Sequence, residues 1–120
     1  MLTYVIPEME LFEALNIILQ GSDLPMIDEV LWFLGNVIGG CMEIRDKILS
    51  RSCVINTMFV LMNTCNITVK VIKNISMVTS NISNGGKLDY NDISKLVDVA
   101  AKGLHVPNKE VLQGMHHMII

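Results

Sequence analysis

Two segments of this chain align without a gap at an offset of 45 residues: VLWFLGNVIGG from Val30 and ISMVTSNISNG from Ile75. The register sets Trp32 against Met77, Gly35 against Ser80, Asn36 against Asn81 and Val37 against Ile82. That offset falls within the roughly 40–47 residue period of helical repeat proteins. In such proteins each unit buries its apolar face only against its neighbours, so the repeat points to a stack of helices.

Local signals agree. Pro7 opens a helix that stops at Gly21, and Pro25 opens a second that runs to about Gly39. A short helix follows from Met42 to Leu49, Ser52 caps another to about Asn63, and Thr68 starts one that NGG at 84–86 closes. Asp89 or Asn91 starts a sixth, which ends at Gly103, and Pro107 opens the last. Proline suits a first helical turn and glycine a helix end. Alternation of the strand kind is never sustained. The lengths run medium, long, short, medium, long, medium, long, and short–medium–long is the three-helix armadillo unit. The expected fold is therefore all-α: a right-handed armadillo-type solenoid of about two and a half repeats, over residues 1–40, 41–86 and 87–120 of a single segment.

Composition fits a chain that needs neighbours. Apolar residues make up 51% of the 120 and aromatics 5%, with nine methionines. A chain this short leaves much of its surface exposed, so some apolar surface faces a partner or the chain is a piece of something longer. The net charge of −3 lacks the basic stripe that nucleic-acid binding requires. No window reaches the roughly 18 apolar residues of a membrane span, and the acids near the N-terminus do not suit a signal peptide. The expected setting is intracellular and soluble. The three cysteines, Cys41, Cys53 and Cys65, form no CxxC or Cys/His cluster and read as buried reduced thiols. The N-x-S/T matches at Asn66, Asn74 and Asn81 would matter only in a secreted chain.

The single tryptophan carries the functional argument. At about 100° per residue, Asp28, Glu29, Gly35, Asn36 and Gly39 lie near Trp32 on the helical wheel. Met26, Ile27, Val30, Leu31, Leu34, Val37 and Ile38 occupy the opposite arc. One reading makes Trp32 the rim of the core, covering a neighbouring helix. The other makes it the first rung of a peptide-binding ladder. The Asn36 amide would bond the backbone of an extended peptide, and the indole would stack on a Lys or Arg stem and attract its cation. Gly35 and Gly39 would leave room for the peptide, and Asp28 and Glu29 would favour a basic ligand. Around Met77 the equivalent flank is polar again, with Lys70, Lys73, Asn74, Ser80, Asn81 and Asn84. Around Met115 lie Leu112, Met118 and Ile119, and no ladder persists there.

Residues 30–49, VLWFLGNVIGGCMEIRDKIL, resemble the importin-α (karyopherin-α) armadillo repeats, in which a W-x-L-G-N helix precedes a short helix containing Arg-Asp. Trp32, Leu34, Gly35, Asn36, Gly39, Arg45, Asp46 and Leu49 match in register, and IKNISMVTSN resembles the next long helix. The resemblance implies a nuclear-import adaptor, cytoplasmic and nuclear, whose concave groove binds extended Lys/Arg-rich nuclear localisation signals. It implies Trp32 and Asn36 as one intact rung, Glu29 at a groove-lining glutamine position, and Asn74 and Asn81 in the next rung. Basic cargo is the implied partner; importin-β would be another, although no basic arm precedes the repeats. Met77 replaces the second rung's tryptophan, Met115 and Ile119 replace the third rung, and Gly40 replaces a signal-contacting aspartate. Lys70 and Lys73 would repel a basic peptide. The competing reading is a generic armadillo- or HEAT-like scaffold without import activity, its methionines lining a groove for an amphipathic helix. Self-association through the solenoid ends is expected of either.

Catalysis finds no support. His116 and His117 face about 100° apart on a helix and make a poor metal pair, and with His105 they read as solvated or partly buried imidazoles. NGG is a helix terminator rather than a phosphate loop, and DYND at 89–92 lacks the spacing of a calcium loop. No enzyme activity, metal or cofactor is expected.

Overall fold

Helix starts in this chain are set by side chains that accept the orphan N–H groups of a first turn. In the computed structural model, which describes residues 8–64 and 67–119, Asp23 accepts from the Met26 N–H at 3.3 Å, Thr68 from Val71 at 3.4 Å and Asp89 from Asp92 at 2.8 Å. Seven helices result: α1 Glu8–Leu19, α2 Leu24–Gly40, α3 Met42–Arg51, α4 Val54–Met62, α5 Val69–Ser83, α6 Tyr90–Gly103 and α7 Lys109–Ile119. No strand occurs among the described residues, so the chain is all-α. The expectations placed on Pro7, Cys65 and Asn66, and on the side chains of His117, Met118 and Ile119, lie outside what is described.

Two helix starts differ from the sequence reading. The Asn108 Oδ1 accepts from Glu110 and Val111 at 3.0 and 3.2 Å, so it caps α7 and Pro107 stands just before it. The Ser52 hydroxyl donates to the Ile48 carbonyl at 2.7 Å, which finishes α3, and its oxygen accepts from the Val54 N–H at 3.4 Å, at the first residue of α4. The Cys53 N–H, at the cap position itself, is met by the Oδ1 of Asn16, at 2.9 Å. The Nδ2 of Asn16 donates to the Arg51 carbonyl at 3.1 Å. One side chain of α1 thus serves both sides of the α3–α4 junction, a contact 35 or more residues away in sequence.

The helices pack in two rows. One runs α2, α5, α7; the other runs α1, α4, α6. Rungs across the rows join α1 to α2, α5 to α6 and α6 to α7, and the short α3 touches both α2 and α4. Between the rows lies one continuous apolar core that includes Leu31, Leu34, Met58, Ile75, Val78, Ile82, Leu96, Val99 and Met115. Within α2, α5 and α6 these residues recur at three- and four-residue spacing, the signature of a helix with one buried face. α5 is the central element, with neighbours on both sides in its own row.

Arg45 closes the α3 end of this core. Its side chain is almost wholly buried, at 1% exposure. Its Nη2 donates to the carbonyls of Ile82 at 2.8 Å and Gly86 at 3.2 Å, and its Nη1 pairs with Asp46 at 2.8 Å. A cation is thereby placed on the Ile82 carbonyl in the last turn of α5, where the helix dipole favours it, and on the Gly86 carbonyl just past that turn. The guanidinium lies against Gly85, where any Cβ would collide with it. That explains why the chain turns there through glycine.

Candidate functional site

The exposed side of the α2–α5–α7 row begins at Trp32. Its side chain is 56% exposed. One turn on, Asn36 is exposed as well, and its Nδ2 donates to the Trp32 carbonyl at 2.8 Å. Glu29, one turn before, is also exposed. The indole, the amide and the carboxylate therefore share an open flank of α2, as their three- and four-residue spacing requires. The indole is therefore not enclosed deep between helices.

The other members of the sequence-defined flank go elsewhere. Asp28, expected beside Trp32 as an attractor of basic ligands, is 5% exposed and faces α5. Its Oδ1 accepts from Asn74 Nδ2 at 2.6 Å and its Oδ2 lies 3.6 Å from the Lys70 Nζ. The carboxylate is neutralised within the chain, because a buried charge is tolerated only when paired and hydrogen-bonded. Gly35 and Gly39, expected to leave space for a peptide, leave it for α5. A Cβ on Gly35 would meet the Met77 Cε at 2.5 Å and the Val78 Cγ2 at 2.9 Å. One on Gly39 would meet the Asn81 Nδ2 at 2.8 Å.

Asn74 and Asn81 are both half-buried in this seam. Asn81 Nδ2 donates to the Gly35 carbonyl at 2.9 Å, next along the chain from Asn36. The structure thus brings Asn81 to the flank that carries Asn36, and Asn74 to the level of Asp28 and Glu29. Both spend amide hydrogens on α2. The lysines of α5 are paired too: Lys70 with Asp28, and Lys73 with Glu110 of α7 at 3.9 Å. That pairing reduces the repulsion that a basic peptide would meet there.

Beyond Asn81 the row opens into a cavity of about 310 Å3 between α5 and α7. Met77, Ser80 and Asn81 line one wall, and Glu110, Gln113 and Gly114 the other. The floor is tight. The Ser76 hydroxyl donates to the Val111 carbonyl at 3.1 Å, and a Cβ at Gly114 would collide with Ser76. This second recess escaped sequence reasoning, which saw no ladder around Met115. The signal that could have found it is the small pair Ser76 and Gly114, at which two helices approach closely.

Among the described residues no three His, Cys, Asp or Glu side chains converge to hold a metal ion. The expectation that the cysteines are buried fails at Cys41, which is exposed, and holds in part at Cys53, which is half-buried with its Sγ 3.6 Å from the Thr57 Oγ1. Cys41 sits at the junction of α2 and α3, outside the core that would have covered it. No helix among the described residues is long and apolar enough to cross a membrane. Searches of family models, of curated proteins and of solved structures find no match to this chain.

Proposed function

We propose that the chain is a divergent armadillo-type segment, a right-handed superhelix of about two and a half repeats, acting as an adaptor that binds extended Lys/Arg-rich peptides of the nuclear-localisation kind. The observation that carries this is the open pair Trp32 and Asn36, one turn apart on the exposed side of the α2–α5–α7 row. Among the described residues, Asn36 makes one side-chain hydrogen bond, to the Trp32 carbonyl of its own helix. Its Oδ1 and second amide hydrogen are left for the backbone of a strand laid across the row. The indole face offers a cation–π partner to a Lys or Arg on that strand, worth about 0.5–1 kcal/mol at an exposed site. Glu29, exposed on the same flank, adds attraction for a basic ligand. Asn81 and the recess beyond it would take the next residues of the peptide, with Asn74 positioning the seam through Asp28. Such an adaptor works in the cytoplasm and the nucleus and needs no metal or cofactor.

A second reading, an interaction scaffold with no import role, is favoured by Met77. It stands where a second-rung aromatic would stand, and it packs over Gly35. The two readings separate in one titration. Adding a Lys-rich peptide shifts or quenches Trp32 fluorescence under the adaptor reading. Asn36→Ala weakens that response without changing the unfolding midpoint, because the side chain is exposed. No fluorescence response to the peptide, together with binding of an apolar amphipathic helix, would establish the scaffold instead.

A further inference from the structure

Among the described residues, the two ends of the helix rows carry exposed apolar faces. On α2, the residues that meet α5 are Asp28, Gly35 and Gly39. Counting about 100° per residue from Gly35, Met26 and Phe33 lie roughly 160–180° away, on the side opposite α5. Both are exposed, at 47% and 48%. On α7, the contact with α5 is made at Gly114 and Val111. By the same count, Leu112, Lys109 and His116 lie roughly 140–160° away from Gly114. All three are exposed and line a cavity of about 540 Å3 with Leu104 and Pro107. Beside it, α6 exposes Tyr90, Ile93 and Val97, spaced three and four residues apart, and Leu104 just past its end, two turns on from Val97, continues the apolar stripe. The α2–α5–α7 row therefore ends on an apolar flank at both ends, and the other row ends on one at α6, where another helix would stack.

Charge distinguishes the ends. No Lys or Arg precedes Arg45, whereas seven of the twelve acids do. Glu10 and Glu13 are exposed at the α1–α2 end. The lining of the α7 cavity holds Lys109 and His116 and no acid. Like ends would repel; unlike ends attract and bury apolar surface.

We infer that a second copy of this chain docks head to tail, its α1–α2 face on the α6–α7 face of the first, so that α7 is followed by the partner's α2 as α2 is followed by α5. The contact is heterologous. It leaves one face of each kind open, so it propagates into longer oligomers rather than stopping at a symmetric dimer. The occupant of each face is set by the complementary charge of the other, and the proposal is independent of what the groove binds.

Sedimentation of the full chain tests it. The expected result is a concentration-dependent series of oligomers, weakened about tenfold by Lys109→Glu, the scale of one close charge pair across an interface. Phe33→Asp destroys the α2 face and Val97→Asp the α6 face, because each buries a carboxylate in an apolar contact. Each variant alone sediments as a monomer. Their equimolar mixture forms a one-to-one dimer and nothing larger, because one intact face of each kind remains. A wild-type chain that stays monomeric at the highest concentration reached overturns the proposal. So does a single variant that still dimerises, or a mixture that stays monomeric while both variants keep their helical circular dichroism. Met26→Asp with Leu112→Asp repeats the test at different positions and replaces any variant that fails to fold.

Discussion

Arg45 ties α3 to the end of α5. It is buried, and it supplies donors to two carbonyls at the end of a neighbouring helix. Arg45→Met would keep the volume and remove the donors, taking the Arg45 bond from the Gly86 carbonyl and leaving the Ile82 carbonyl its turn bond from the Gly85 N–H; the expected loss is about 1–3 kcal/mol, read from the urea unfolding midpoint. Lysine would recover little, because the planar fork is what reaches both acceptors. Asp98 acts on a smaller scale. The hydrogen bond from Lys102 at 2.8 Å holds its carboxyl below the usual aspartate value, against slight desolvation and with help from Asn63. A carboxyl lowered in the folded state stabilises above its unfolded pKa of about 3.9, and that contribution is lost as pH falls through the lower folded value. Asp98→Asn should therefore cost roughly 0.3–0.5 kcal/mol at neutral pH, the range of exposed helical pairs. The difference should shrink toward zero in melts run from pH 4 downward.

At the level of elements, small residues set how closely the long helices approach. Gly35 accepts Met77 and Val78 across the α2–α5 seam, and Gly114 accepts Ser76 across the α5–α7 seam. The same arrangement, a small residue under a side chain of the neighbouring helix, recurs along the row. Gly114→Ala forces α7 away from Ser76. Overpacking of this kind costs about 1–3 kcal/mol, less the better helix propensity of alanine. Adding Ser76→Ala removes the hydroxyl that the new methyl meets, at the loss of its bond to the Val111 carbonyl. The double variant should be more stable than the sum of the single losses predicts, and a double-mutant cycle of unfolding free energies measures that coupling.

For the whole molecule, the row arrangement implies an uneven distribution of stability. α5 has α2 on one side and α7 on the other, and Ile75, Val78 and Ile82 are fully buried. α1 has neighbours in α2 and α4 and exposes Met9 and Ile17. Amides of α5 should exchange with solvent only through global unfolding, while those of α1 exchange through local opening. Native-state hydrogen exchange across a denaturant series separates the two: α5 rates converge on the global free energy and α1 rates stay flat. Equal protection of α1 and α5 would contradict the row picture.

Local chemistry in the sequence determined the helices. Asp23, Thr68 and Asp89 meet orphan N–H groups wherever they are placed, Gly103 ends α6, and three- and four-residue spacing marks a buried face without reference to any partner. The same rules placed Trp32, Asn36 and Glu29 on one flank. What they could not supply was the direction of the neighbour, because a helical wheel gives an angle and not what stands at it. Only the tertiary structure decided that α5 lies at the angle of Asp28, Gly35 and Gly39, so that these fill a seam while Trp32 and Asn36 remain open. It likewise drew Arg45 onto carbonyls 37 and 41 residues away and Asn16 onto the α3–α4 junction. These are long-range hydrogen bonds whose donors and acceptors meet only after the rows have packed.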